Sequence, residues 1–244
     1  MFITNRVFIF LILFILLGSC APSKRPPAGY FYNKGVTVES LLDVIDTGEI
    51  ANFMAVVKVS VYSDGIHRGT FSGRLFYKRN SGLRAILFGP FNTIIADILV
   101  ADSTVEVFLP SRGVIYKMVL PVGYILPDKR DILKDRALLK KKEDALELIT
   151  VSTVTDIFRV FVFDKNSLTW NALRVYSRGG KLFEMKIRNH IKGIPLDFSL
   201  IYSSLKINIK LDDLQINDRV SKELFRLPEG FRQKSLSELL NEIY

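Results

Sequence analysis

Cysteine occurs once in the 244 residues, at Cys20, so no intrachain disulfide can form and the fold must rest on burial. Histidine is almost as scarce. His67 and His190 are the only two, and neither stands in a metal-ligand spacing. The chain has no Gly-x-Ser-x-Gly, no His-Glu-x-x-His and no phosphate-binding glycine loop. Asp212-Asp213 is an adjacent carboxylate pair at a strand end, and Ser63-Asp64-Gly65 beside His67 reads as a turn. The reading is therefore no enzyme, with no catalytic residue, metal or cofactor assigned. Long apolar runs are missing too. The longest, 7–17, is about eleven residues, short of the ~20 needed to cross a hydrocarbon core.

That run follows a lone Arg6 and ends in Leu17-Gly18-Ser19-Cys20, which has the layout of a secretory signal peptide with small residues at the cut. The four residues resemble a bacterial lipobox. The resemblance implies removal of 1–19 and acylation of Cys20, leaving the protein tied to a membrane by its acyl chains. Ala21-Pro22 follow the cysteine, with no Asp to hold the product in the inner membrane, so the implied address is the outer membrane, periplasmic face. Residues 20–35 carry three prolines and two glycines and read as a tether before a domain over 36–244.

Apolar residues make up 48% of the chain and aromatics 11%, enough for a large core, while the net charge of +9 favours anionic partners. For an envelope protein that means lipid head groups rather than nucleic acid. Val38, Leu41, Leu42 and Ile45 share one face of a short helix that Thr37 caps. The period then changes to two. Phe53, Ala55, Val57, Val59 and Val61 alternate with Lys58 and Ser60, and Phe71, Gly73, Leu75 and Tyr77 with Thr70, Ser72, Arg74 and Lys78. Further strands are predicted over 83–88, 94–100, 104–109 and 114–119. Helices are expected between 127 and 158, on the spacing of Leu146, Ile149, Thr153, Val154, Ile157 and Phe158, although the β-branched run 149–155 opposes that. Strands resume over 169–177, 181–190, 195–203 and 205–211. Ser235 and Glu238 have capping-box spacing ahead of a final apolar stripe, Leu236, Leu239, Leu240 and Ile243, which faces either its own sheet or a partner. The fold class is mainly β (α+β), with about ten strands in a strongly curved antiparallel sheet forming an open, incomplete barrel.

The order of elements, with Phe-Ser-Gly-Arg-Leu at 71–75, Leu-Phe-Gly-Pro-Phe at 87–91 and Glu-Leu-Phe-Arg-Leu-Pro-Glu-Gly-Phe at 223–231, resembles the LolA/LolB lipoprotein-carrier superfamily over 36–231. The resemblance implies an unclosed barrel under a helical lid, here 38–46 and 145–158, around a cavity that receives acyl chains. It also implies a hairpin that delivers cargo to the outer membrane, and a periplasmic carrier protein as a further partner. The one-sided strand residues Phe53, Val57, Val59, Phe71, Leu75, Leu87, Val107, Leu196, Phe198 and Leu200 are candidates for the cavity lining; the same pattern suits a filled core. An apolar chain costs about 0.8 kcal/mol per CH₂ in water, so only an apolar lining can hold it. Phe91 stands in a turn where polar residues normally dominate, with Ile94 near by, and the two are candidates for membrane contact if Phe91 does not fold back on the sheet. Arg130, Lys134, Arg136, Lys140, Lys141 and Lys142 form a basic run, either a solvated face or a head-group contact. Two functions fit: a tethered acyl-chain carrier assisting lipoprotein or lipid insertion, or a structural accessory lipoprotein docking on an envelope assembly.

Overall fold

The computed structural model describes residues 35–101, 104–119, 128–152, 156–191, 193–202, 204–235 and 238. They form fourteen strands, an eight-residue helix and short helical turns, in two compact units.

The first unit holds β1 (Asn52–Ser63), β2 (Ile66–Lys78), β3 (Gly82–Phe88), β4 (Ile94–Ala101), β5 (Thr104–Leu109), β6 (Val114–Val119), β13 (Leu205–Ile216) and β14 (Arg232–Ser235). Their order is β14-β6-β5-β4-β3-β2-β1-β13, a meander of antiparallel neighbours with one parallel pair, β14 on β6. One face is apolar from strand to strand. Val57 lies between Gly73 and Leu211, Val59 between Phe71 and Ile209, and Gly73 opposite Leu87. Phe53, Ala55, Val57, Val59 and Val61 are all buried, as the alternation requires. At Gly73 a Cβ would lie 2.3 Å from the Ile86 carbonyl oxygen, so this crossing of β2 and β3 admits glycine alone. Register shifts between Met54 and Val56 and between Leu87 and Phe88 insert unpaired residues that bend the strands.

The opposite face is covered locally by the segment 218–231. Val220 and Phe225 pack with Phe76 and Leu99, and Phe231 meets Phe108 at a ring-centroid distance of 4.5 Å. Two cations pin the segment's backbone: Lys78 donates to the Val220 carbonyl and Arg84 to that of Leu224, each at 2.5 Å. Arg84 also forms a bidentate pair with Asp97, which is buried. The guanidinium thus satisfies a carboxylate that could not otherwise be desolvated.

The second unit holds α1 (Val38–Ile45), the single-turn α2 (Lys129–Ile132), and β7 (Arg136–Lys141), β8 (Ala145–Val151), β9 (Phe158–Asp164), β10 (Trp170–Ser177), β11 (Gly180–Ile191) and β12 (Ile194–Tyr202), in the order β12-β11-β10-β9-β8-β7. Helix α1 starts where the sequence places it. Thr37 Oγ1 accepts from the Ser40 N–H and Ser40 Oγ accepts from that of Thr37, both at 3.1 Å. Leu41, Leu42 and Ile45 are wholly buried, and the helix lies beside α2 and β7. Lys129 fastens it: its ammonium reaches Asp43 at 2.7 Å and Glu39 at 3.2 Å, and its backbone N–H donates to Asp46 Oδ1. The hydrogen bond it donates to Asp43 is the main reason its pKa lies above the ordinary 10.5.

Among the described residues, the predicted helices between 127 and 158 reduce to that one turn of α2. Residues 136–141 and 145–151 are paired strands, and Phe158 opens another, so the described residues of the 145–158 part of the expected lid are not helical. Leu146, Leu148 and Thr150 alternate onto the buried face, and Ile149 and Val151 favour extended backbone. Ser235 ends β14, and its N–H donates to Glu238 Oε1 at 3.0 Å, one of the two hydrogen bonds of the expected capping box. The stripe residues Leu236, Leu239, Leu240 and Ile243 lie outside the described ones. A mainly β fold built on a curved antiparallel sheet that does not close is what the sequence predicts and what the structure has; the described residues form fourteen strands where about ten are expected, and of the two expected lid segments the first is helical, over Val38–Ile45.

Candidate functional site

The β3–β4 connection is a 3₁₀ turn, Pro90–Asn92, carrying Phe91 at its centre. Phe91 has φ 58° and ψ 29°, the left-handed region that a bulky side chain normally avoids, and Asn92 follows at φ 57°. Pro90 sets the first dihedral. The turn is closed by the Gly89 N–H donating to the Thr93 carbonyl at 2.8 Å and by Thr93 Oγ1 donating to that of Pro90 at 2.9 Å. Phe91 is fully exposed, and Ile94, the first residue of β4, is 44% exposed. The aromatic ring stands off the sheet rather than folding back on it.

Beside this tip, within the same unit, is a cavity of about 670 Å³. Three segments line it: Thr70-Phe71-Ser72 of β2; Phe88, Gly89, Pro90, Asn92 and Ile95 of the β3–β4 hairpin; and Leu109 and Ser111 at the β5–β6 turn. Its volume is within the range of ligand sites, roughly 300–1,000 Å³. None of the lining residues is charged. Phe71, Phe88, Pro90, Ile95 and Leu109 offer apolar surface, while Thr70, Ser72, Asn92 and Ser111 offer neutral hydrogen-bonding groups. Such a lining accepts a molecule with a hydrocarbon part and an uncharged polar part.

Of the ten residues predicted to line a cavity, Phe71 lines this one. Phe53, Val57, Val59, Leu75, Leu87 and Val107 are buried on the apolar face of the first unit. On β12 of the second unit, Phe198 and Leu200 are buried and Leu196 half-buried. Sequence reasoning missed Phe88, Ile95, Leu109 and the polar members. The turn residues around Phe91 were the available signal. His67 Nε2 lies 3.0 Å from Thr70 Oγ1, with its ring against Tyr62, in a hairpin rather than a cluster. Among the described residues no group of three His, Cys, Asp or Glu side chains could hold a metal ion, and no helix is long and apolar enough to cross a membrane. Cys20, the apolar run before it and the tether as far as residue 34 lie outside the described residues.

The architecture defines a class: the chain has a LolA/LolB-like fold. It superimposes on a LolA superfamily protein from Nitrosomonas europaea with a TM-score of 0.55 and 15% identity, covering 79% of this chain and 99% of that one. A putative outer membrane lipoprotein-sorting protein domain from Vibrio parahaemolyticus gives a TM-score of 0.56 at 12% identity, over 77% of this chain and 94% of that one. No family model matches the sequence, and no curated protein does.

Proposed function

We propose that the protein is a non-enzymatic lipoprotein of the bacterial envelope, acylated at Cys20 and tethered to the periplasmic face of the outer membrane. There it receives acyl chains of lipoproteins or lipids and assists their insertion. The observation that carries this reading is Phe91: a fully exposed aromatic held in left-handed backbone at the lip of an uncharged cavity. Water penalises that display, and a bilayer rewards it. The cavity's mixed lining suits an acyl ester, with the chain against Phe71, Phe88, Ile95 and Leu109 and the ester oxygens near Ser72 and Asn92. In this reading Phe91 and Ile94 enter the membrane surface during delivery, and a periplasmic carrier protein is the source of the cargo. The lipoprotein-sorting protein from Vibrio parahaemolyticus, which shares the fold, points the same way.

Native mass spectrometry of the full chain, released from membranes, tests capture, and transfer of a fluorescent acyl probe to liposomes tests delivery. The expected result is a co-purifying acyl ligand in both the wild type and Phe91→Asp, with transfer lost only in the variant. A chain that carries no acyl ligand overturns the carrier reading in favour of the filled accessory scaffold, and unchanged transfer by Phe91→Asp removes the tip from the mechanism.

A further inference from the structure

The second unit carries an amphipathic platform on the less buried face of β7 to β10. Cross-strand register sets Arg136 opposite Val151, Val151 opposite Phe158, and Phe158 opposite Tyr176, with Leu138 opposite Ile149 in the next row. Directly paired residues put their side chains on the same face. The Phe158 and Tyr176 rings accordingly stack at 4.7 Å with an interplanar angle of 2°. Leu138 is 62% exposed and Val151 44%, and the two rings and Ile149 are half-buried.

Cations border this surface. Arg136 and Lys140 flank Leu138 on its own face, and Lys141 ends the strand. All three are exposed, and their side chains enter no hydrogen bond or ion pair among the described residues. Their neighbours differ. Lys142 and Arg174 both reach the buried Glu147, at 2.7 and 3.3 Å; Arg178 pairs with Asp156 and Lys181 with Glu184. Glu147 faces Lys140 across the register but is already taken by those two partners. The exposed acids Glu143 and Asp144 lie off the strand, in the β7–β8 turn.

We propose that this platform rests on anionic lipid head groups. A surface of exposed aliphatic and aromatic groups edged by unpaired cations asks for two things at once, a boundary with hydrocarbon and a counter-anion, and an anionic bilayer surface supplies both. The charged edge also disfavours addition of a partner's strand to β7. The inference does not depend on the cavity or on Phe91, which belong to the first unit.

The test is amide hydrogen exchange on the full chain reconstituted into vesicles of phosphatidylcholine alone or with roughly a third phosphatidylglycerol. Exchange over 136–141 and 149–151 is expected to slow on the order of ten-fold on the anionic vesicles alone, with the protection lost at about 0.5 M salt and in the Arg136→Glu/Lys140→Glu double variant. Equal protection on neutral vesicles overturns the proposal, as does protection that survives the double charge reversal. Protection that rises with protein density on neutral vesicles assigns the face to a second copy instead and overturns it equally. A failure here leaves acyl capture and Phe91-dependent transfer unaffected, so the two readings fall separately.

Discussion

Phe91 holds a conformation that costs an L-residue roughly 1–2 kcal/mol. A glycine in its place would relieve that strain, less part of the gain to the greater freedom of the unfolded chain. Phe91→Gly is therefore expected to stabilise the protein by about 1 kcal/mol in chemical denaturation. The same change should abolish delivery of an acyl probe to liposomes, whereas Phe91→Leu keeps it. Stability and delivery moving in opposite directions is the mark of a side chain kept for what it touches outside the fold. Asp97 illustrates the reverse case. Its carboxylate is buried and joined to Arg84 by two hydrogen bonds, so Asp97→Ala leaves a guanidinium facing apolar surroundings. The expected loss is about 3–5 kcal/mol, with much of it recovered in Arg84→Met/Asp97→Leu, where neither charge remains.

At the scale of elements, the β9–β10 hairpin depends on one carboxylate. Asp164 Oδ1 accepts from the N–H groups of Asn166 and Ser167, at 3.0 and 2.7 Å, and from Ser167 Oγ at 2.9 Å. The backbone hydrogen bond from Ser167 leads the effects that hold its pKa below the ordinary 3.8, against the opposing effect of burial. A depressed carboxylate stabilises the fold at pH values above its unfolded pKa, and the contribution is lost as pH falls through the folded one. Unfolding followed from neutral to acid pH should show that decline, and Asp164→Ala should flatten it while costing about 1 kcal/mol at neutral pH from the lost turn hydrogen bonds. The strands also show what sequence could not convey. In β1 and β13 of the first unit one face is more buried than the other, so a period of two is plain in the residues. In β8 the outward Glu147 is itself buried by its pairing with Lys142 and Arg174, and in β9 Arg159 faces inward to Asp135. Polarity there no longer marks the face, and the spacing of Leu146 and Ile149 imitates a helix. Strand β14, Arg-Gln-Lys-Ser, has no apolar alternation at all; its pairing with β6 follows from the covering segment before it.

Across the molecule, the carrier reading requires two separable acts, capture and release, and the site has a separate part for each. The tip was legible because apolar residues in a turn are anomalous wherever the turn lies. The cavity was not, because it exists only where 70–72, 88–95 and 109–111 meet, and spacing along a chain carries no information about a void between segments so distant in sequence. That separation makes an order-of-events prediction possible. Ser111 is exposed at the centre of its own turn and borders the cavity, so Ser111→Trp adds an indole at the mouth without displacing a packed side chain. Its thermal midpoint should stay within the shift of a neutral surface change, about 0.5 kcal/mol, while the amount of bound acyl probe falls at least about ten-fold. Phe91→Asp should do the opposite, loading normally and failing to unload. In the double variant the loading defect must dominate, since a cavity that never fills has nothing to release. If Ser111→Trp loads as well as the wild type, cargo resides elsewhere in the fold, and Phe91 then acts beside a cavity it does not serve.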